Sequence, residues 1–115
     1  RGSNQVYYHA VSGQPNYVNI GCNASGGDIT YFWSLCPGVG GGTFSANTCT
    51  SYTNYDTVLE YYNGSTGAAA CDDDGCGYPR SRLSTSVTAG SGIRAFYVDG
   101  WGGSTGNAYT IFNIP

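Results

Sequence analysis

Apolar and polar positions alternate along the chain in short runs separated by clusters of Gly, Pro, Asn or Asp. The runs fall at residues 5–11, 16–20, 28–34, 42–47, 55–62, 68–71, 82–87, 93–99 and 108–114. A period of two marks strands buried on one face, and the intervening Gly, Pro and Asn supply the turns between them. In the third run Ile29, Tyr31 and Trp33 share one face against Thr30 and Phe32. In the fifth, Tyr55, Thr57, Leu59 and Tyr61 oppose Asp56, Val58, Glu60 and Tyr62, an arrangement that leaves at least one Tyr exposed. The pattern predicts an all-β, antiparallel, jelly-roll-like sandwich of about seven to nine short strands with little or no helix.

Composition narrows this picture. A chain of 115 residues suits one domain with one core. Only 10% of residues are charged, with four Arg, no Lys and a net charge of −3, so a row of phosphates finds no partner and nucleic acid is excluded. No run approaches the roughly 20 apolar residues of a membrane span. No cationic start with an apolar run follows either, so the chain reads as mature or trimmed secreted material.

Five cysteines in so short a chain point to an oxidising, extracellular setting and a disulfide-stapled fold. The odd number leaves one thiol over, and connectivity stays open. The favoured pairs are Cys71 with Cys76 across an acidic turn, and Cys22 with Cys36, tethering the first segment to the sandwich. Cys49 is then unpaired or bonded to another chain. Two sequons, at Asn23 and Asn63, suit surface glycosylation of a secreted protein.

The candidate chemistry is sparse. The run Gly38-Val39-Gly40-Gly41-Gly42 is no phosphate loop, since no Lys exists to reach a phosphate. His9 is the sole imidazole and sits within a strand-like run, so no nucleophile and base pairing is evident and no enzyme activity is expected. Acid–base work by the aspartates, Asp73 foremost, is the catalytic alternative. The acidic run Asp72, Asp73 and Asp74 is more telling, because a Gly-containing loop can converge carboxylates and carbonyls on a hard cation such as calcium. Asp56 is the further candidate ligand. The spacing is not that of an EF-hand, whose twelfth position from Asp72 is Leu83 here. Arg80 and Arg82, or solvent, offer the alternative relief of like-charge crowding. Eleven Tyr and two Trp exceed the needs of one small core and place rings at the surface, where they suit contact with sugars or proteins.

Six phrases then come into register: "GDITYFWS" (27–34), "FSANTC" (44–49), "YDTVLEYYNG" (55–64), "CDDDGCG" (71–77), "SRLSTSVTAG" (81–90) and "VDGWGGSTGNAYTIFNI" (98–114). In order and spacing they resemble, over about residues 27–114, the bacterial pre-peptidase C-terminal domain, a β-sandwich appended to many secreted peptidases and surface proteins. The resemblance leaves residues 1–26 as a strand-like extension that pairs either in cis or with a neighbouring subunit. The resemblance implies a non-catalytic targeting or adhesive module, with Asp56, Asp73 and Asp74 corresponding to the family's acids and Asp72 standing where Asn is usual. Related collagen-binding domains use calcium near the sandwich. The expected function is an extracellular structural or adhesive module whose partners are copies of itself, as in a surface fibre or coat, or an extracellular protein or polysaccharide. The alternative is a calcium-stabilised substrate- or carbohydrate-binding domain of a secreted hydrolase.

Overall fold

A computed structural model describes residues 2–18, 20–38, 40–64 and 66–115, with side chains from Val6 onward. Eight strands form among them: β1 (Gly2–Ala10), β2 (Ile29–Leu35), β3 (Gly42–Asn47), β4 (Thr57–Asn63), β5 (Ala69–Asp73), β6 (Arg82–Val87), β7 (Gly92–Gly100) and β8 (Asn107–Ile114). They build two four-stranded antiparallel sheets, ordered β1-β8-β3-β6 and β2-β7-β4-β5. This is the interleaved order of an eight-stranded jelly roll, in which the chain repeatedly crosses between sheets. The predicted all-β sandwich is what the chain adopts.

Strand alternation delivers the core. Phe44, Ala46, Leu83, Val87, Ala108 and Phe112 face inward from one sheet, and Leu35, Leu59, Tyr61, Phe96 and Val98 from the other. Much of the interface is aromatic. Tyr31 stacks on Phe96 at 5.6 Å, Trp33 on Phe44 at 5.3 Å, and Phe44 on Tyr61 at 5.6 Å between ring centroids. Such offset contacts add to the area term of burying large rings. Arg94 is buried among them, and its guanidinium donates to the carbonyls of Ile93 at 3.3 Å and Thr88 at 3.4 Å.

The N-terminal extension divides in two. β1 pairs in cis with β8, from Gly2↔Ile114 to Ala10↔Asn107, with an irregularity between Gly2 and Gln5. The run 16–20, expected as a strand, forms none among its described residues, and Asn19 lies outside them. Instead residues 12–18 and 20–28 make a strap across the outer face of the β2-β7-β4-β5 sheet. Ser25 and Gly26 donate to the Gly100 carbonyl at 3.0 and 2.9 Å, and Ala24 bridges Trp101. Gly26 is required there, because a Cβ would collide with the carbonyl of Ser104.

The disulfides correct the expected pairing. Cys22 joins Cys71, clipping the strap to β5, and Cys49 joins Cys76, with Cα separations of 6.0 and 5.6 Å. Cys36, not Cys49, is the free thiol, and it is exposed. The reason lies in strand direction. Cys22 reaches the sheet near the start of β2, whereas Cys36 follows the end of that strand, about 20 Å further on at the rise of a β-strand. Cys71 faces outward beside Glu60. Cys76 lies past the turn, where Cys76 N–H bonds Arg80 O and Thr48 N–H bonds Ser81 O, each at 3.0 Å, bringing positions 76 and 49 together.

Candidate metal centre

Within β5 consecutive side chains point to opposite faces, and this splits the acidic run. Asp72 lies on the same side as Leu59, at the open edge of the sandwich. Its Oδ2 accepts the N–H of Gly75 at 2.9 Å and of Arg82 at 2.7 Å. Asp73 points outward beside Val58. Asp74 begins the turn with φ of 67°, its N–H bonded to Ser81 Oγ at 3.3 Å. Asp56, just ahead of β4, alternates onto the same outer face.

One carboxylate oxygen from each of Asp56, Asp73 and Asp74 lies within 4.8 Å of the others. Asp72, expected as a fourth ligand, does not join them, because two backbone amides already engage its carboxylate. Asp56 Oδ1 and Asp73 Oδ1 are buried without a hydrogen-bond partner. Burial, followed by the charges of Asp74, Asp56 and Asp72, pushes Asp73 up to about 6. Burial and then Asp74 raise Asp56. The arginines point elsewhere: Arg80 donates to the Thr53 carbonyl at 3.4 Å from Nε and 3.3 Å from Nη2, and Arg82 Nη2 reaches Cys49 Sγ at 3.7 Å. Three hard oxygen donors, two of them orphaned, gathered beside a Gly-containing turn fit a calcium-like cation that carbonyls and water would complete. Such an ion would supply positive charge where like charges crowd.

A second acidic cluster lies under the strap. Glu60 on β4 and Asp99 on β7 are fully buried, and Asp28 nearly so. Glu60 Oε2 accepts the N–H groups of Ile20 at 2.6 Å and Gly21 at 3.1 Å. Asp28 Oδ2 accepts those of Tyr17 at 2.7 Å and Val18 at 2.9 Å. These bonds explain why 16–20 is not a strand: its amides are satisfied by carboxylates instead of a neighbouring backbone. Asp99 Oδ1 accepts Gly100 N–H at 2.6 Å. Glu60 Oε1 and Asp99 Oδ2 are buried without a hydrogen-bond partner. Burial, with the neighbouring Glu60 charge, raises Asp99 to about 7, and burial raises Glu60 as well. The outward alternation of Val58 and Glu60 was readable in the sequence; the strap that buries them was not.

The remaining candidates are settled by position. His9 is half-buried on the inward side of β1, its ring 5.8 Å from Tyr31 and its Nε2 3.4 Å from Thr110 Oγ1, and burial lowers its basicity. Asn63, expected to carry a glycan, is buried, with Nδ2 donating to Thr88 Oγ1 at 3.1 Å and Oδ1 accepting Thr66 N–H at 3.3 Å. Its amide is unavailable for glycosylation. Asn23 is exposed. No protein-family model matches the chain, and no curated protein and no solved structure matches it either.

Proposed function

We propose that this is a non-catalytic extracellular module that works by contact, adhering to an extracellular polymer or assembling with copies of itself into a surface fibre or coat. The observation that carries this reading is the display of aromatic side chains on a disulfide-clipped framework: Tyr17 is 82% exposed, and Phe32 and Tyr78 are each 76% exposed. Exposed rings on a rigid scaffold give contact area at low cost in conformational entropy. The ordered phrases that resemble the pre-peptidase C-terminal domain support the same reading. So does the half-buried position of the single imidazole against Tyr31. The two disulfides are compatible with secretion. No helix among the described residues is long and apolar enough to cross a membrane.

Electron microscopy and light scattering of the secreted protein test the assembly version. Ordered multimers support it, and strictly monomeric protein under all secretory conditions removes it. A second reading, a calcium-stabilised binding domain, is favoured by the convergence of Asp56, Asp73 and Asp74. Its test is a melting curve with and without chelator, and an unchanged midpoint counts against it.

A further inference from the structure

On the outer face of the β1-β8-β3-β6 sheet, three tyrosine rings form a row that neither the core nor the acidic clusters use. Tyr8 on β1 stands opposite Tyr109 on β8. Their ring centroids are 6.3 Å apart, and Tyr52, from the loop after β3, continues the row 5.6 Å from Tyr109. Tyr8 is 59% exposed and Tyr52 68% exposed.

The row is held from beneath. Beyond the end of β3, residues 53 and 54 take over as the neighbour of β8. Buried Thr53 accepts Tyr109 N–H at its Oγ1 at 3.0 Å and donates from it to the Tyr109 carbonyl at 3.4 Å. Asn54 N–H bonds Asn107 O at 3.1 Å, and Asn54 Oδ1 accepts Asn107 N–H at 2.8 Å. The backbone that presents Tyr52 is therefore fixed before anything binds, which lowers the ordering cost of binding.

The surroundings select the partner. All seven acidic residues lie on or beside the other sheet. By strand alternation the outward positions flanking Tyr8 and Tyr109 are Ala10 and Asn107 on one side and Ile111 and exposed Val6 on the other. Asn47 lies beside Ile111 and, one step further, Asn113, whose Nδ2 donates to Ser45 Oγ at 3.1 Å. Arg82, on the far strand β6, is charged among the outward strand positions of this face, and Arg80 reaches it only at the Thr53 carbonyl beside Tyr52. An acidic glycan or nucleic acid would need more cations than that. A copy of the chain, drawn by Val6 and Ile111, is the competing occupant that light scattering of the ring deletions separates. The geometry points to a platform for a neutral, extended polysaccharide, its sugar rings laid on Tyr8, Tyr109 and Tyr52 in turn and its hydroxyls paired with the adjacent amides and hydroxyls. This rests on the contact-module reading and gives it a surface and a ligand class.

Affinity electrophoresis in gels containing hydroxyethylcellulose, galactomannan or polygalacturonate tests it, with melting curves to check each variant's fold. The unaltered protein is retarded by at least one neutral polymer and not by polygalacturonate. Tyr8→Ala and Tyr52→Ala each weaken retardation about tenfold, the scale of one aromatic contact. Tyr52→Phe keeps it, and Tyr78→Ala, away from the row, leaves it unchanged. No retardation in either neutral gel overturns the platform, while the contact reading keeps its own test by microscopy. Retardation that survives both ring deletions, or that Tyr78→Ala weakens equally, also overturns it by moving the site. A ring deletion that instead dissolves multimers in light scattering assigns the face to copies of the chain and overturns the glycan proposal.

Discussion

The two acidic clusters lie on the same face of one sheet, separated in a single cross-strand row by buried Val58, with Asp73 on one side and Asp99 on the other. They are neutralised in different ways. Under the strap, each carboxyl group accepts at least one backbone N–H, from Tyr17, Val18, Ile20, Gly21 or Gly100, although Glu60 Oε1 and Asp99 Oδ2 keep no partner, and burial favours the protonated form of both groups. At the rim, the orphaned oxygens of Asp56 and Asp73 have no such donor. The supply of backbone amides, more than the number of acids, decides which cluster calls for a cation. The strap cluster is a structural seat, and the rim cluster offers three convergent carboxylates that a hard ion would fit.

The comparison breaks most severely if the strap is released. Replacing Cys22 and Cys71 by Ala removes a cross-link of sequence separation 49 and is expected to lower stability by about 4 kcal/mol, read from urea unfolding. Glu60→Ala strands the amides of Ile20 and Gly21 and should cost about 2–4 kcal/mol. At the rim, calcium at a hundredfold excess over its dissociation constant should stabilise the protein by about 2.7 kcal/mol, an increment that Asp73→Asn removes. Asp72→Ala loses two local hydrogen bonds and should cost about 1–2 kcal/mol while leaving the calcium increment intact.

Proton linkage sharpens the same contrast. Asp73 and Asp99 have folded values of about 6 and about 7 against ordinary values of 3.8, so the folded chain holds protons that the unfolded chain releases. Their contribution to stability is full below about pH 4 and is lost as pH rises through 6 and then 7. Melting temperature without calcium should therefore fall between pH 5 and 8. Asp99→Asn, which keeps the shape without an ionisable proton, should flatten the upper part of that fall.

Much of the fold was legible from local pattern. The runs 42–47 and 82–87 are β3 and β6 as expected, and Ile29, Tyr31 and Trp33 share the core face of β2. The period of two also placed Val58 and Glu60 outward together, but a pattern along one strand does not reveal what covers that face. The strap is a long-range feature, held by bonds between residues about 40 positions apart, and its amides resembled those of a strand. The disulfide pairing was misjudged for the same reason, since nearness in sequence favoured Cys71 with Cys76 over the sheet-spanning pairs. Asn63 carries a sequon, yet its side chain closes the turn after β4. At the rim, Asp56, Asp73 and Asp74 do converge, whereas alternation turned Asp72 away.

The most direct test is the melting temperature of the protein at pH 7.5 with calcium and with chelator, measured in parallel for Asp73→Asn and Asp99→Asn. A proton seat beside a cation site predicts that calcium raises the midpoint of the unaltered protein and of Asp99→Asn, but not that of Asp73→Asn. An increment that survives in Asp73→Asn, or that vanishes in Asp99→Asn, contradicts the division of roles between the two clusters.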